Sequence, residues 1–179
     1  MDRPRNLIMV IFGASGDLTY RKLIPALYAL YNQQMLPEKF HVVGTGRTVV
    51  SDTEFKAKMK DGIQKFSEKR HLNDDQIVEF ISHLSYFPMD MHTPDEYLRL
   101  KDALTKLDIK DGNDSNCLFY LSLPPSMFGV LANNLGKAGL SNSSDGFKRL
   151  IVEKPFGYDL ESGLKLNRDL HEAFTESQI

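Results

Sequence analysis

The sequence predicts a doubly wound α/β fold: a parallel sheet in the strand order 3-2-1-4-5, with helices on both faces, in three layers. Three features predict it. The apolar pattern switches repeatedly between short continuous runs and helical spacing along the 179 residues. The first run, Leu7 to Phe12, is apolar without interruption, as a strand covered on both faces requires. A glycine turn, Gly13-Ala14-Ser15-Gly16, joins that run to the first helical stretch.

The elements follow in order. Leu18 to Gln34 has apolar residues at helical spacing, and Pro25 inside it predicts a kink or break. Phe40 to Gly44 is the second strand. Asp52 is the expected N-cap of a helix from Thr53 to about Lys69, and a further helix runs from Asp74 to His83. Ser85 to Met89 is the third strand; Thr93 then caps a helix from Pro94 to Leu107. A polar turn from Asp111 to Asn116 precedes the fourth strand, Cys117 to Leu123, which Pro124-Pro125 ends. Ser126 to Gly139 is helical, and Ser141 to Gly146 is a loop of small residues. Arg149 to Glu153 is the fifth strand, and Leu160 to Ser177 a last amphipathic helix. Such alternation implies parallel pairing through right-handed crossovers. A sixth strand would be due where the chain stops at Gln178-Ile179 without a closing element, which reads as truncation.

Composition bounds the function. At 41% hydrophobic residues, the chain can bury one domain's core. Twenty-two basic and 24 acidic side chains leave a net charge of −2, so no general attraction for nucleic acid or anionic lipid is expected. Any bound anion needs a local site. The single Cys117 forms no internal disulfide; it reads as a buried strand thiol in a reducing compartment. No run approaches the roughly 20 apolar residues of a membrane span, and no signal-peptide core precedes the first strand. A cytoplasmic protein without membrane partners is expected, and no metal site is read from the sequence.

The glycine turn carries the chemistry. Gly13 lets the chain turn sharply out of the strand, and Gly16 leaves the helix N-terminus open to a pyrophosphate. Free N–H groups and the positive dipole end favour an anion there. Ser15 adds a hydroxyl donor, and Asp17 fits a helix start. Thr19 stands where a third glycine would complete the dinucleotide fingerprint. After the second strand, where a carboxylate would select NAD, the chain offers Arg47 between Thr45 and Thr48. A guanidinium there can grip a 2′-phosphate, which favours NADP, although a solvated surface arginine fits the position as well. Asp90 and Met91, after the third strand, are candidates for the adenine edge, or simply a helix signal and a core methionine. Pro124 stands where the nicotinamide end would pass. Lys22 and Lys154 should project at the carboxyl rim, where a lysine can meet a sugar phosphate; each alone also reads as a solvated lysine.

These residues carry a resemblance. The run Gly13 to Leu23, the strand end Val43-Gly44-Thr45-Gly46-Arg47, and the blocks Phe119 to Pro125 and Ile151 to Gly157 resemble, in order, the glucose-6-phosphate dehydrogenase family. The resemblance implies a Rossmann-like NADP-binding domain over residues 1–179, of a parent that oxidises D-glucose 6-phosphate at C1 to 6-phosphogluconolactone, in the oxidative pentose phosphate pathway. It implies a homo-oligomeric parent. It assigns Gly13, Ala14, Ser15, Gly16, Asp17 and Leu18 to the cofactor, with Arg47 on the 2′-phosphate and Asp90, Met91 and Pro124 along the cleft. Lys154 would touch both cofactor and sugar, Pro155 would be the family's cis proline, and Lys22 would help position substrate.

Two departures follow. The family's next substrate-binding block, and the general-base histidine of its later β+α domain, would lie beyond Ile179. No catalytic residue is therefore assigned among His41, His71, His83, His92 and His171, of which only His92 is expected near the rim. The expected behaviour is weak NADP binding without turnover. Phe128 also stands where many relatives have tyrosine. Two alternatives remain: a sugar oxidoreductase of the glucose–fructose oxidoreductase type, and a non-catalytic nucleotide-binding module.

Overall fold

A computed structural model describes residues 3–68, 72–111, 115–144 and 146–179. Lys69, His71, Asp145 and the turn residues 112–114 lie outside the described residues. Five strands are present: β1 Leu7–Phe12, β2 Phe40–Gly46, β3 Leu84–Pro88, β4 Cys117–Leu121 and β5 Lys148–Val152. They pair in parallel throughout, in the order β3-β2-β1-β4-β5, as the sequence predicts.

Alternation along β1 builds the two cores. The helices are α1 Ile24–Asn32, α2 Asp52–Phe66, α3 Asp74–Ser82, α4 Pro94–Asp111, α5 Phe128–Lys137 and α6 Leu160–His171. Ile8, Val10 and Phe12 pack with Tyr97 of α4, Leu131 of α5 and Leu170 of α6. Met9 and Ile11 face the other way, into Tyr28 of α1, Met59 of α2 and Phe80 of α3. Burying one such side chain is worth about 1.5–3 kcal/mol, so both faces hold the central strand. Among the described residues, no helix is long and apolar enough to cross a membrane.

Several boundaries differ from expectation. The break expected at Pro25 is moved upstream. The helix opens at Asp17 and widens into a π turn over Thr19–Leu23, where Ile24 N–H donates to Thr19 O. Pro25 follows just after this π turn, whose wider pairing accommodates the N–H that proline lacks. The N-cap of α2 is Ser51, not Asp52. Ser51 and Glu54 close a reciprocal capping box, and Asp52 instead accepts the Tyr86 N–H at 2.7 Å.

The last helix is shorter than expected. It ends at His171, after which Phe174 turns into the core and a 3-10 turn spans Glu176–Gln178. The Gln178 amide donates to Ser141 O and Lys148 O, each at 2.9 Å, so these residues do carry a closing contact.

The glycine turn is held from two sides. The N–H groups of Gly13 and Ala14 donate to Thr45 O of β2 at 3.0 and 2.9 Å. Gly13 has φ of +87°, and a Cβ there would stand 2.2 Å from Ser122 O, just beyond β4. Gly13→Ala should therefore destabilise the protein by about 2–4 kcal/mol, the sum of positive-φ strain and a backbone clash. Urea unfolding checks this. A change below about 0.5 kcal/mol would mean that the turn has room to relax.

Candidate functional site

The carboxyl ends of the strands surround a cleft of about 460 Å³. It opens where strand order reverses about β1, the crevice in which doubly wound sheets take ligands. Gly13, Ser15 and Gly16 line its centre, beside the start of the helix that opens at Asp17. The first N–H groups of any helix lack acceptors within it, so this end offers donors and positive dipole to an anion.

Beyond β2, Gly46, Arg47 and Thr48 form one wall. Here Gly46 allows a close approach: a Cβ would stand 2.8 Å from the Tyr86 hydroxyl and 3.1 Å from Ser15 Oγ. Tyr86 donates to Thr48 O at 2.9 Å, which fixes the backbone around Arg47. Burial pushes the Tyr86 hydroxyl pKa up, and contact with the Ser15 hydroxyl partly opposes this. Thr45, a possible flank for Arg47, points elsewhere: its side chain is fully buried and only its carbonyl serves the turn.

Beyond β3, Met91 and His92 continue the wall. Tyr97 donates to Met91 O at 2.7 Å, and burial pushes its hydroxyl up to about 12. Asp90 accepts the His92 N–H at 3.0 Å and faces the imidazole Nδ1 at 3.3 Å. The His92 backbone bond, then its ring, holds the Asp90 carboxyl below the usual range, and Arg47 adds a smaller electrostatic pull. On the far side of the cleft lie Ser122, Leu123 and Pro124, then Ser126 and Met127 of a 3-10 turn, Pro125–Met127.

The structure thus brings Gly13, Ser15, Gly16, Arg47, Met91 and Pro124 together. Other candidates lie apart. Ala14 is buried beneath the turn. Asp17 is exposed and ion-paired with Arg21 at 3.2 Å, Leu18 is half-exposed, and Asp90 sits beside the cleft. Lys154 and Pro155 are exposed past the end of β5, joined by a cis peptide bond, and do not line the cleft. Nearby, the buried Tyr120 hydroxyl, its pKa raised by burial and then by Glu153, donates to Glu153 Oε1. Lys22 lines a second groove of about 370 Å³ with Arg21, Pro25 and Phe66.

Sequence reasoning missed Gly46 at the end of β2, Ser122 just past β4, and Ser126 and Met127 in the following 3-10 turn, for which position at the sheet's carboxyl edge was the only signal. It also missed Lys58, whose ammonium donates to Ser15 O at 2.8 Å; in sequence it reads as one lysine of a solvated helix face. Among the described residues, no three His, Cys, Asp or Glu side chains gather to hold a metal ion.

The residues fit a dinucleotide phosphate. A helix start, a glycine turn and an arginine line one cleft. Comparison with known proteins agrees. Residues 10–179 match the family model described as glucose-6-phosphate dehydrogenase, NAD binding domain. Glucose-6-phosphate 1-dehydrogenase of Aggregatibacter actinomycetemcomitans is 44% identical over 177 residues, covering 99% of this chain and 35% of that protein. The Bacillus subtilis strain 168 enzyme of the same name is 40% identical over 172 residues, 96% of this chain and 34% of that one. A solved glucose-6-phosphate dehydrogenase in complex with its substrate superposes with TM-score 0.88 at 32% identity, covering 99% of this chain and 36% of that one. The Mycobacterium avium enzyme gives TM-score 0.81 at 31% identity, over 98% of this chain and 35% of that one. The chain therefore spans about a third of the length of the relatives it matches.

The Asp90 carboxyl should titrate below the ordinary value of about 3.9, since the bonds from His92 favour its charged form. With the folded pKa depressed, the stabilisation is present at neutral pH and is lost as pH falls through the folded value. NMR titration of the Asp90 carboxyl carbon reads this directly. A midpoint at or above about 4 would contradict the contact.

Proposed function

Because the chain belongs to the glucose-6-phosphate dehydrogenase family, we propose that it is the coenzyme domain of an oxidoreductase that takes NADP and oxidises D-glucose 6-phosphate at C1 to 6-phosphogluconolactone. The carrying observation is that the glycine turn and Arg47 line the same cleft. In this reading the first N–H groups of the helix that opens at Asp17 hold the pyrophosphate, helped by the Ser15 hydroxyl. Arg47 grips the 2′-phosphate through charge-assisted bonds, with Thr48 beside it. Met91 borders the adenine edge, and Pro124 with Met127 shapes the far end, toward the nicotinamide.

NADP, when bound, supplies the hydride acceptor. The chain's own residues bind, orient and exclude water. Lys154 at the rim past β5 is assigned to cofactor and sugar, with Pro155 fixing the turn beside it. Lys22 opens on the neighbouring groove and is assigned to the sugar phosphate. The proton acceptor for the C1 hydroxyl is assigned to the parent's β+α domain, because among the described residues no histidine is placed to serve. Among the described residues His92 is the only histidine on the cleft wall, and its ring faces Asp90. The parent is proposed to act as a cytoplasmic homo-oligomer in the oxidative pentose phosphate pathway.

Arg47→Ala in the longer protein should lower kcat/KM for NADP about thirtyfold, the equivalent of ~2 kcal/mol for a lost charged hydrogen-bond pair. The value for NAD should change less than about twofold, since NAD presents no 2′-phosphate. Steady-state assays with glucose 6-phosphate and each nucleotide check both. Equal losses would remove Arg47 from the 2′-phosphate, and no oxidation of glucose 6-phosphate by the unmodified protein would overturn the assigned reaction.

A further inference from the structure

We propose that Lys58 is a second determinant of NADP selectivity, its ammonium held on the glycine turn so that it adds positive charge beside the corner Arg47 forms. The proposal rests on the NADP reading of the cleft and extends it by one residue.

Lys58 lies in α2, the helix that follows the Arg47-Thr48 wall after a short link. A helical side chain leans toward its helix N-terminus, which here is the rim end. Two contacts fix the long side chain. Its Nζ donates to Ser15 O at 2.8 Å and lies 5.7 Å from the centroid of the Tyr20 ring. Tyr20 is itself anchored by donating to Asp61 on the same helix. Without such contacts, an exposed lysine would spread its charge over many rotamers.

Ser15 links this ammonium to the phosphate corner. Its carbonyl takes the Lys58 bond, whereas its hydroxyl lies against Gly46, the residue before Arg47. A 2′-phosphate seated between Ser15 and Arg47 would meet Arg47 in the cleft and the field of Lys58 through Ser15, since Lys58 itself does not line the cleft. The second cation answers a charge deficit. A phosphomonoester carries about 1.5–2 negative charges at pH 7. Arg47 carries one positive charge, and part of its field is already spent on the Asp90 carboxylate. Lys58 offsets about one of those negative charges.

A purely structural lysine, pinning α2 to the first helix, would behave differently. It would support both nucleotides alike, because each uses the same glycine turn. Selectivity therefore separates the two roles. The test is calorimetric titration of the 179-residue chain with NADP and with NAD, at low and at moderate salt. It compares the unmodified chain, Lys58→Gln, Lys58→Arg, Arg47→Ala and, as a remote charge control, Lys106→Gln on α4. Thermal melting checks that each variant is folded.

Lys58→Gln should weaken NADP about fivefold, the size of one partly screened unit charge, and flatten its salt dependence. NAD should change less than about twofold. Lys58→Arg should recover most of the NADP affinity, and Lys106→Gln should leave both values unchanged. Equal losses for the two nucleotides, or an unchanged NADP affinity in Lys58→Gln, would overturn the proposal. If Arg47→Ala lowers the NADP preference and Lys58→Gln does not, only the Lys58 role falls. If the unmodified chain binds neither nucleotide, or Arg47→Ala leaves the preference intact, the NADP reading falls with it.

Discussion

The arrangement depends on one close approach: Gly13 wedged between the ends of β2 and β4. Thr45 O receives two N–H groups from the turn, and Ser122 O occupies the space a side chain would need. With the turn fixed there, the helix that follows must start at the centre of the sheet's carboxyl edge. The cleft is a consequence of that start. Its two walls are the continuations of the strands that hold the turn, so Arg47 and Pro124 reach it without any further device.

Much of this was legible in the sequence. Uninterrupted apolar runs marked β1 and β4, because central strands covered on both faces have no polar side to display. Strand order followed from βαβ handedness. The glycine turn was legible because its chemistry is backbone chemistry, and backbone needs announce themselves as glycine. Boundaries were less legible. Ser51 and Asp52 are both good N-caps by type, and only the reciprocal contact with Glu54 decides between them. Pro25 signals a disturbed helix but not the π turn over Thr19–Leu23 that absorbs it just upstream.

The site divides in the same way. Residues on the turn and at the end of β2 could be placed because their positions are tied to the sheet. Lys22 could not: its position on the first helix suggests the rim, but the π turn sets the direction of its side chain, and it opens on another groove. Lys58 was invisible for the opposite reason. Its partner is a carbonyl 43 residues away, and a lysine on an exposed helix face gives no sign of such a bond. Lys154 and Pro155 stand at the rim where they were expected to project, yet outside the cleft that Gly16 and Arg47 share. Family membership sets aside the glucose–fructose oxidoreductase reading.

The central claim is that the bare turn and the guanidinium across from it receive two phosphates of one nucleotide. A crystal structure of this chain with NADP bound tests it most directly. The account predicts the pyrophosphate within hydrogen-bond distance of the N–H groups from Ser15 to Leu18, and the 2′-phosphate against the Arg47 guanidinium. A nucleotide seated in another groove, or a 2′-phosphate facing solvent with Arg47 turned away from it, would contradict the account.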